Sequence, residues 1–294
     1  MSEAHSQDYP LLDLSFIQHE VAHLPVGHTI VYRTSVPSTM PIAAELAQDP
    51  NTPSGIVVVA EEQTAGRGRG GRSWHTPYAS ALLVSVILKP PHIPPPATLT
   101  MLAGVALLKA VAAVVPEITS ALYLKWPNDL VIGSDPATAR KAAGILAESS
   151  LSAERDKGYA ILGIGTNVNQ HSSDLPRIAP PTPRPISLRI ARSNAGHPDT
   201  SIDRSYLLVH LCRHLSEMLA QSPAEIYQQW RSHLATLGQT VAVYDHAGYT
   251  QGVVQTPTLI GQAVDVQEDG GLVVLEANGE RHTVYAADVS IRAA

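Results

Sequence analysis

At 294 residues the chain exceeds one average domain, so a large domain with a smaller companion is the starting expectation. Hydrophobic residues make up 44% and charged residues 16%, with no uninterrupted apolar run of the roughly 18 residues a membrane span needs, and the net charge of −6 disfavours general binding to DNA while leaving room for a local basic loop that holds a nucleotide. The single cysteine, Cys212, excludes an internal disulfide, and the opening MSEAHSQDYPLLDLSF lacks the basic flank and apolar run of a secretory signal, so a reducing cytoplasm is expected.

Residues 1–25 are polar and mixed, a tail or a short helix, and Pro25 and Gly27 punctuate the approach to the apolar run Thr29 to Tyr32. The β-branched run Ile56 to Ala60 reads as a buried strand feeding a glycine-arginine loop, and Ala81 to Leu88 as a second such strand. After the proline cluster Pro90 to Pro96, the spacing of Leu99, Leu102, Val105, Ala106 and Leu108 predicts a helix from about Thr98 to Val115. Tyr123 to Trp126 and Leu130 to Ile132 are short strands around a turn at Pro127-Asn128-Asp129, and Lys141 to Ser150 and Tyr159 to Val168 a further pair, split by the charged stretch Glu154 to Gly158. The proline-rich stretch Pro176 to Pro185 is a loop. Asp203 to Leu219 is a helix with Ser201 or Asp203 as its N-cap, and another spans about Ala224 to Leu234. Beyond Gly238 the short runs TVAVY, GVVQ, AVDVQ, GLVVLE and RHTVY, separated by glycine-bearing turns, predict a small all-β barrel. The expected organisation is an N-terminal tail over 1–25, a large domain over 26–236 and a small domain over 237–294.

Four segments carry chemistry. Glu62 to Trp74 (EQTAGRGRGGRSW) follows a strand directly; its four glycines allow close backbone approach, its three arginines supply charge-assisted donors for phosphate or carboxylate, and Trp74 implies that the loop folds onto something. Lys125-Trp126-Pro127-Asn128-Asp129 is, in isolation, ordinary turn chemistry. Lys141 opens an otherwise apolar strand and, if buried, needs an anionic partner. Gly163 to Asn169 (GIGTNVN) is a strand with small residues facing something that must come close. Each segment singly has a structural explanation: a solvated loop, a turn, a strand-end lysine, a tightly packed strand.

Their order is more specific. EQTAGRGRGGRSW, KWPNDL, KAAGILAES, GIGTNVN and the late SLR together resemble the signature of biotin–protein ligases, over roughly residues 29 to 294. The resemblance implies an α/β (α+β) catalytic domain, a mixed sheet with flanking helices related to class II aminoacyl-tRNA synthetases, followed by an SH3-like barrel. It implies that Gly66 to Trp74 is the biotin- and phosphate-binding loop, with Arg67 and Arg69 on carboxylate and phosphate, Arg72 on the nucleotide and Gln63 beside biotin. Ser38-Thr39 resembles a Ser-Thr-Asn segment that reaches the biotin head group, with Met40 in place of the usual Asn. Lys141 would contact the biotin carboxylate and α-phosphate, with Gly144 beside it. Asn128 and Asp129 would lie near ATP and its Mg2+, Asn167 near adenine or ribose, and Arg292 would reach ATP from the small domain. The segment Gly133 to Arg140 is longer than the family's usual turn, and a longer hairpin loop there should leave Lys141 on its strand.

By that resemblance the partners are biotin, ATP and a biotin carboxyl carrier protein or domain, with the enzyme a monomer or homodimer. The activity would be ATP-dependent conversion of biotin to biotinyl-5'-AMP and transfer to a lysine. Two anions must be brought together, a task for arginine, lysine and magnesium rather than for a nucleophilic side chain. Cys212, on a core-facing helix, is accordingly a small buried hydrophobe. His210 and His214 stand four apart on a helix but have no third ligand in their pattern, so a surface or structural role is expected. Competing readings are a lipoate- or octanoate-handling relative, a DNA-binding repressor, disfavoured because only about 25 residues precede the catalytic region, and a binding module that merely retains biotin.

Overall fold

The computed structural model describes residues 9–91, 93–150, 158–178, 183–245, 256–285 and 287–291. Helix α1 (Leu14–Val21) opens it, capped by the Asp13 carboxylate, which accepts from Phe16 N. Strand β1 (Ile30–Val36) leads into α2 (Thr39–Gln48), whose N-cap is Ser38. Then come β2 (Val57–Gln63), the short β3 (Gly66–Arg67) and β4 (Ser73–Trp74), β5 (Ala81–Leu88) and α3 (Pro96–Val114). The hairpin β6 (Leu122–Lys125) and β7 (Asp129–Ile132) precedes the long strands β8 (Arg140–Ser150) and β9 (Tyr159–Asn167). Three helices follow, α4 (Leu188–Asn194), α5 (Arg204–Leu219) and α6 (Pro223–Ser232). The small domain contributes β10 (Thr240–Asp245), β11 (Leu259–Val266), β12 (Leu272–Leu275), β13 (Arg281–Val284) and β14 (Ala287–Ile291).

Seven strands form one mixed sheet in the order β1-β2-β5-β9-β8-β7-β6, parallel only between β1 and β2. Strand β5 is buried along its whole length, which explains why ALLVSVIL lacks polar alternation. One face carries α3, α5 and α6, and α3 is apolar nearly all round because it is sandwiched between the sheet and α5. That burial identifies α3, long and apolar enough by composition to cross a membrane, as the core helix of this domain. Among the described residues the one helix on the opposite face is α2, packed by Ala43 and Ala47 on Ile56, Val58, Ile87 and Ile161, so much of β8 has no helix over it there.

The small domain is a five-stranded antiparallel sheet in the order β13-β12-β11-β10-β14. The expected GVVQ strand lies outside the described residues. The small domain and the segment leading into it pack on the KWP segment: the fully buried Trp126 donates its indole N–H to Gly270 O at 2.8 Å, its backbone N–H meets Thr236 Oγ1 at 3.0 Å, and Lys125 Nζ donates to Val289 O. Leu124 is further paired with the connecting segment, through Leu124 N to His233 O and Ala235 N to Leu124 O.

The N-terminal segment, read as a tail or a short helix, holds α1, with Ile17 and Val21 fully buried in the main core. A buried ion pair secures it. Arg204 on α5 meets Glu61 on β2 at 2.7 Å, the two residues being 2% and 0% exposed. Glu61 also accepts from Leu12 N and Tyr32 OH, and Arg204 donates to Ala81 O and Pro10 O, so most of the polar capacity of the pair is used. Burial first, and the Glu61 charge second, push the Tyr32 phenol up to about 12.

Candidate active site

The uncovered sheet face has a floor made bare by glycine. Gly163 and Gly165 alternate on β9, and Gly144 on β8 stands directly opposite Gly165. A Cβ at Gly165 would lie 2.9 Å from Trp74 Cε2, and one at Gly163 would lie 2.6 Å from Met40 Sδ. The close approach inferred from GIGTNVN is therefore that of an indole and a thioether lying on the backbone.

Lys141 reaches this floor through a local irregularity. Strand β8 carries one extra residue against β7 between the pairs Leu130↔Ala143 and Val131↔Lys141. Regular alternation would put residues 141 and 144 on opposite faces; the bulge turns Lys141 to the side of Gly144, whose Cβ would lie 3.2 Å from Lys141 Nζ. The long Gly133–Arg140 segment leaves Lys141 on its strand, as expected.

Ser38, Thr39 and Gln63 close one end, with Ser85 buried behind them. Thr39 opens α2, and its N–H and hydroxyl both donate to Gln63 Oε1, at 2.8 and 3.1 Å, while Thr39 Oγ1 is 2.7 Å from Ser85 Oγ. Ser38 uses its hydroxyl as the N-cap, accepting from Met40 N at 3.4 Å. A caps-and-hydroxyls corner of this kind presents fixed donors and acceptors to a neutral polar head group.

The glycine-arginine loop forms the roof. Gly66 pairs with Trp74 and Arg67 with Ser73, making a two-stranded ribbon whose tip turns through Gly70 at φ 64° and Gly71 at φ 73°. Arg69 reaches from it to the β6–β7 turn, donating to Asn128 Oδ1 at 3.3 Å. Burial lowers the Arg69 guanidinium from its ordinary value, and the charge of Asp129 opposes that shift. Asn128 is in turn locked on β8, donating to Ile145 O at 2.6 Å and accepting on its own carbonyl from Ile145 N.

Positive charge concentrates where floor, roof and turn meet. Lys141 Nζ lies 2.7 Å from Asp129 Oδ1 and 5.7 Å from the Trp74 ring centroid. Lys125 sits behind them, 7% exposed, with burial pushing its ammonium down to about 8 against the pull of Asp129. One carboxylate is thus surrounded by lysines and arginines, an arrangement that leaves net positive charge for an anionic ligand.

Ser38, Thr39, Gln63, Arg67, Arg69, Arg72, Trp74, Asn128, Asp129, Lys141, Gly144 and Asn167 all line a single cleft. Gly66 is buried at the base of the loop, and Arg292 lies outside the described residues. The cleft has members to which sequence reading gave no role: Lys125, Met40 as a packing group, Val289 of the small domain, and a wall from Pro176, Ile178, Pro183 and Pro185. Among the described residues no group of three His, Cys, Asp or Glu side chains is placed to hold a metal. His210 and His214 lie on α5 with ring centroids 6.0 Å apart, and His214 pairs with Glu217. Cys212 is buried, which pushes its thiol up to about 12 and leaves it unreactive.

Comparison with known proteins agrees with this architecture. Residues 31–167 match the biotin/lipoate A/B protein ligase family, and residues 236–292 match the biotin protein ligase C-terminal domain. The bifunctional ligase/repressor BirA of Bacillus spizizenii is 32% identical over 90% of this chain and 75% of its own length. The biotin–[acetyl-CoA-carboxylase] ligase of Mycobacterium tuberculosis is 30% identical over 80% of this chain and 78% of its own. Among solved structures, the biotin protein ligase of Aquifex aeolicus in complex with biotin and ATP superposes with a TM-score of 0.65 at 27% identity, over 90% of this chain and 99% of that one.

Proposed function

This chain belongs to the biotin protein ligase family, and from that premise we propose that it is an ATP-dependent ligase that converts biotin to biotinyl-5'-AMP and transfers the biotinyl group to a lysine of a carboxyl carrier protein or domain. The carrying observation is the convergence of Arg67, Arg69, Arg72, Lys125 and Lys141 on one cleft whose floor is bare backbone.

The first step joins two anions. A carboxylate oxygen of biotin must attack the α-phosphorus of ATP, with pyrophosphate leaving as the α–β anhydride bond breaks, and in water the two anions repel. Cations fixed in a partly dehydrated cleft offset that repulsion and need no reorganisation when the bond forms. Lys141, placed by the β8 bulge, is assigned to the carboxylate and α-phosphate, and Arg67 and Arg69 bring their guanidinium groups from the roof. The Thr39–Gln63–Ser85 corner is assigned to the polar head of biotin, and Asn128 and Asn167 to the nucleotide.

Mg2+ is proposed to accompany ATP. Asp129 supplies a single carboxylate, which fits a metal held chiefly by phosphate oxygens and water rather than by a protein cage. A cation at Asp129 would compete with Lys141 for the same oxygen and so favour turning the ammonium toward substrate.

In the second step a neutral lysine amine attacks the carbonyl of the mixed anhydride, AMP leaves, and the amine proton passes to solvent. The ribbon from Gly66 to Trp74 is assigned the exclusion of water from the adenylate until that amine arrives. The single buried cysteine supports a reducing, cytoplasmic setting.

The test is to incubate the protein with ATP, Mg2+, a carrier domain and either biotin or lipoate, and to weigh the acceptor. A gain of one biotinyl group is expected with wild type, with Lys141→Ala and Arg67→Ala slower by about a hundredfold or more. Labelling by lipoate instead of biotin, or unimpaired variants, would refute the assignment.

A further inference from the structure

A second basic surface lies outside the cleft, and the chemistry proposed above leaves it without a role. Arg140, Arg177 and Arg184 line a shallow groove that shares Pro176, Ile178 and Pro185 with the cleft wall, so the groove and the reaction centre lie on two sides of one thin partition. Two of these arginines are held in place by backbone. Arg140 Nε and Nη2 both donate to Pro185 O, at 3.1 and 2.6 Å. The carbonyl of Arg184 accepts from Lys141 N at 2.8 Å, and Ile186 N returns a bond to Lys141 O, so this segment runs alongside the strand that carries Lys141.

Burial and the neighbouring Arg184 cation both lower the Arg140 guanidinium from its ordinary value, so two like charges are close enough to repel. Among the described residues none of the three arginines is ion-paired to a carboxylate, in a chain with 26 acidic side chains and a net charge of −6. Such a patch produces local positive potential on a negative molecule, the pattern that steers a negatively charged partner to one place. The second step needs a macromolecular partner: the attacking lysine is carried by a protein that must be bound by the surface around that lysine. Arg177 and Arg184 are solvent-exposed at the rim, which suits a macromolecule, whereas Arg69, Arg72, Lys125 and Lys141 of the cleft are half-buried or buried.

We propose that Arg140, Arg177 and Arg184 form the docking site for an acidic face of the acceptor protein, placing its target lysine at the mouth of the cleft. This rests on the ligase reading.

The test uses the full chain with Arg177→Glu and Arg184→Glu, singly and together, and the Arg177→Lys/Arg184→Lys double variant. Two activities are read: biotin-dependent ATP–pyrophosphate exchange without acceptor, and kcat/KM for a carrier domain, the latter also from biotinyl-5'-AMP supplied preformed. For the double glutamate variant, exchange is expected within twofold of wild type. Acceptor kcat/KM should fall by about tenfold or more, with a flatter dependence on salt between about 50 and 200 mM. The double lysine variant should keep most of the acceptor activity. Unchanged acceptor kcat/KM would overturn the proposal, and lost exchange with intact transfer from preformed adenylate would move the arginines to the phosphates of ATP. Absence of biotin-dependent exchange in wild type would instead count against the ligase reading itself.

Discussion

The floor and the roof of the cleft are both rich in glycine, for opposite reasons. On the floor, Gly144, Gly163 and Gly165 sit in extended strands where no unusual backbone angle is needed; what matters is that Trp74, Met40 and Lys141 occupy the space a side chain would take. In the roof, Gly70 and Gly71 have φ of 64° and 73°, and a Cβ at Gly71 would touch nothing within 4 Å, so backbone conformation alone selects glycine there. The floor is a matter of shape fixed by the sheet, the roof a matter of a turn that must close. Substitutions should therefore fail differently in the two places.

The largest effect is expected beneath the floor. Glu61→Ala leaves Arg204 charged and buried, which costs about 3–5 kcal/mol and should lower Tm by roughly 10 °C. It should also bring the Tyr32 phenol down from about 12, readable by ultraviolet titration. An unchanged Tm would mean that the pair does not hold α5, β2 and the segment before α1 together.

On the floor itself, Gly165→Val puts a branched side chain against the rigid Trp74 ring, 2.9 Å from the first added carbon. Biotin KM should rise by about tenfold or more with the fold retained, since strands accept valine. Gly163→Ala meets the flexible end of Met40 and should be milder. Equal effects would argue that Trp74 does not define the surface.

Lys125 gives a pH-dependent test. Its ammonium is held at about 8 in the fold against an ordinary value near 10.4, so between those values the unfolded chain binds more protons. The burial penalty is full below about pH 8, and stability attributable to Lys125 should rise as pH increases from there toward 10.4. Denaturant titrations of Lys125→Met should lack that rise. The smallest effect belongs to the roof: Gly71→Ala should alter stability by only about 1 kcal/mol while increasing loss of the adenylate to water, measured as AMP released without acceptor.

Sequence legibility followed the range of the interactions. Strand β5 has the bounds expected from Ala81 to Leu88, and Asp203 is the N-cap of α5 that was one of two choices, because burial runs and caps are local signals. Helix α2 went unread, since Ser38-Thr39, with Met40 after them, drew attention as a ligand segment and its stripe of alanines is short. Helix α4 was missed for a similar reason, seven residues following a proline-rich stretch. Within the site, the motif glycines and arginines were legible by resemblance. The Lys125–Val289 contact spans 164 positions, and Pro176, Ile178, Pro183 and Pro185, legible only as part of a loop, meet the cleft far from their sequence neighbours in it; neither contact leaves a local trace.

The most direct test of the cationic cleft is biotin-dependent ATP–pyrophosphate exchange, compared between wild type and Lys141→Ala across salt concentration. Exchange in wild type that collapses by about a hundredfold in the variant, with the fold intact by circular dichroism, is the expected result. Exchange at wild-type rate without the Lys141 ammonium would contradict the claim that charge gathered at this point brings the two anions together.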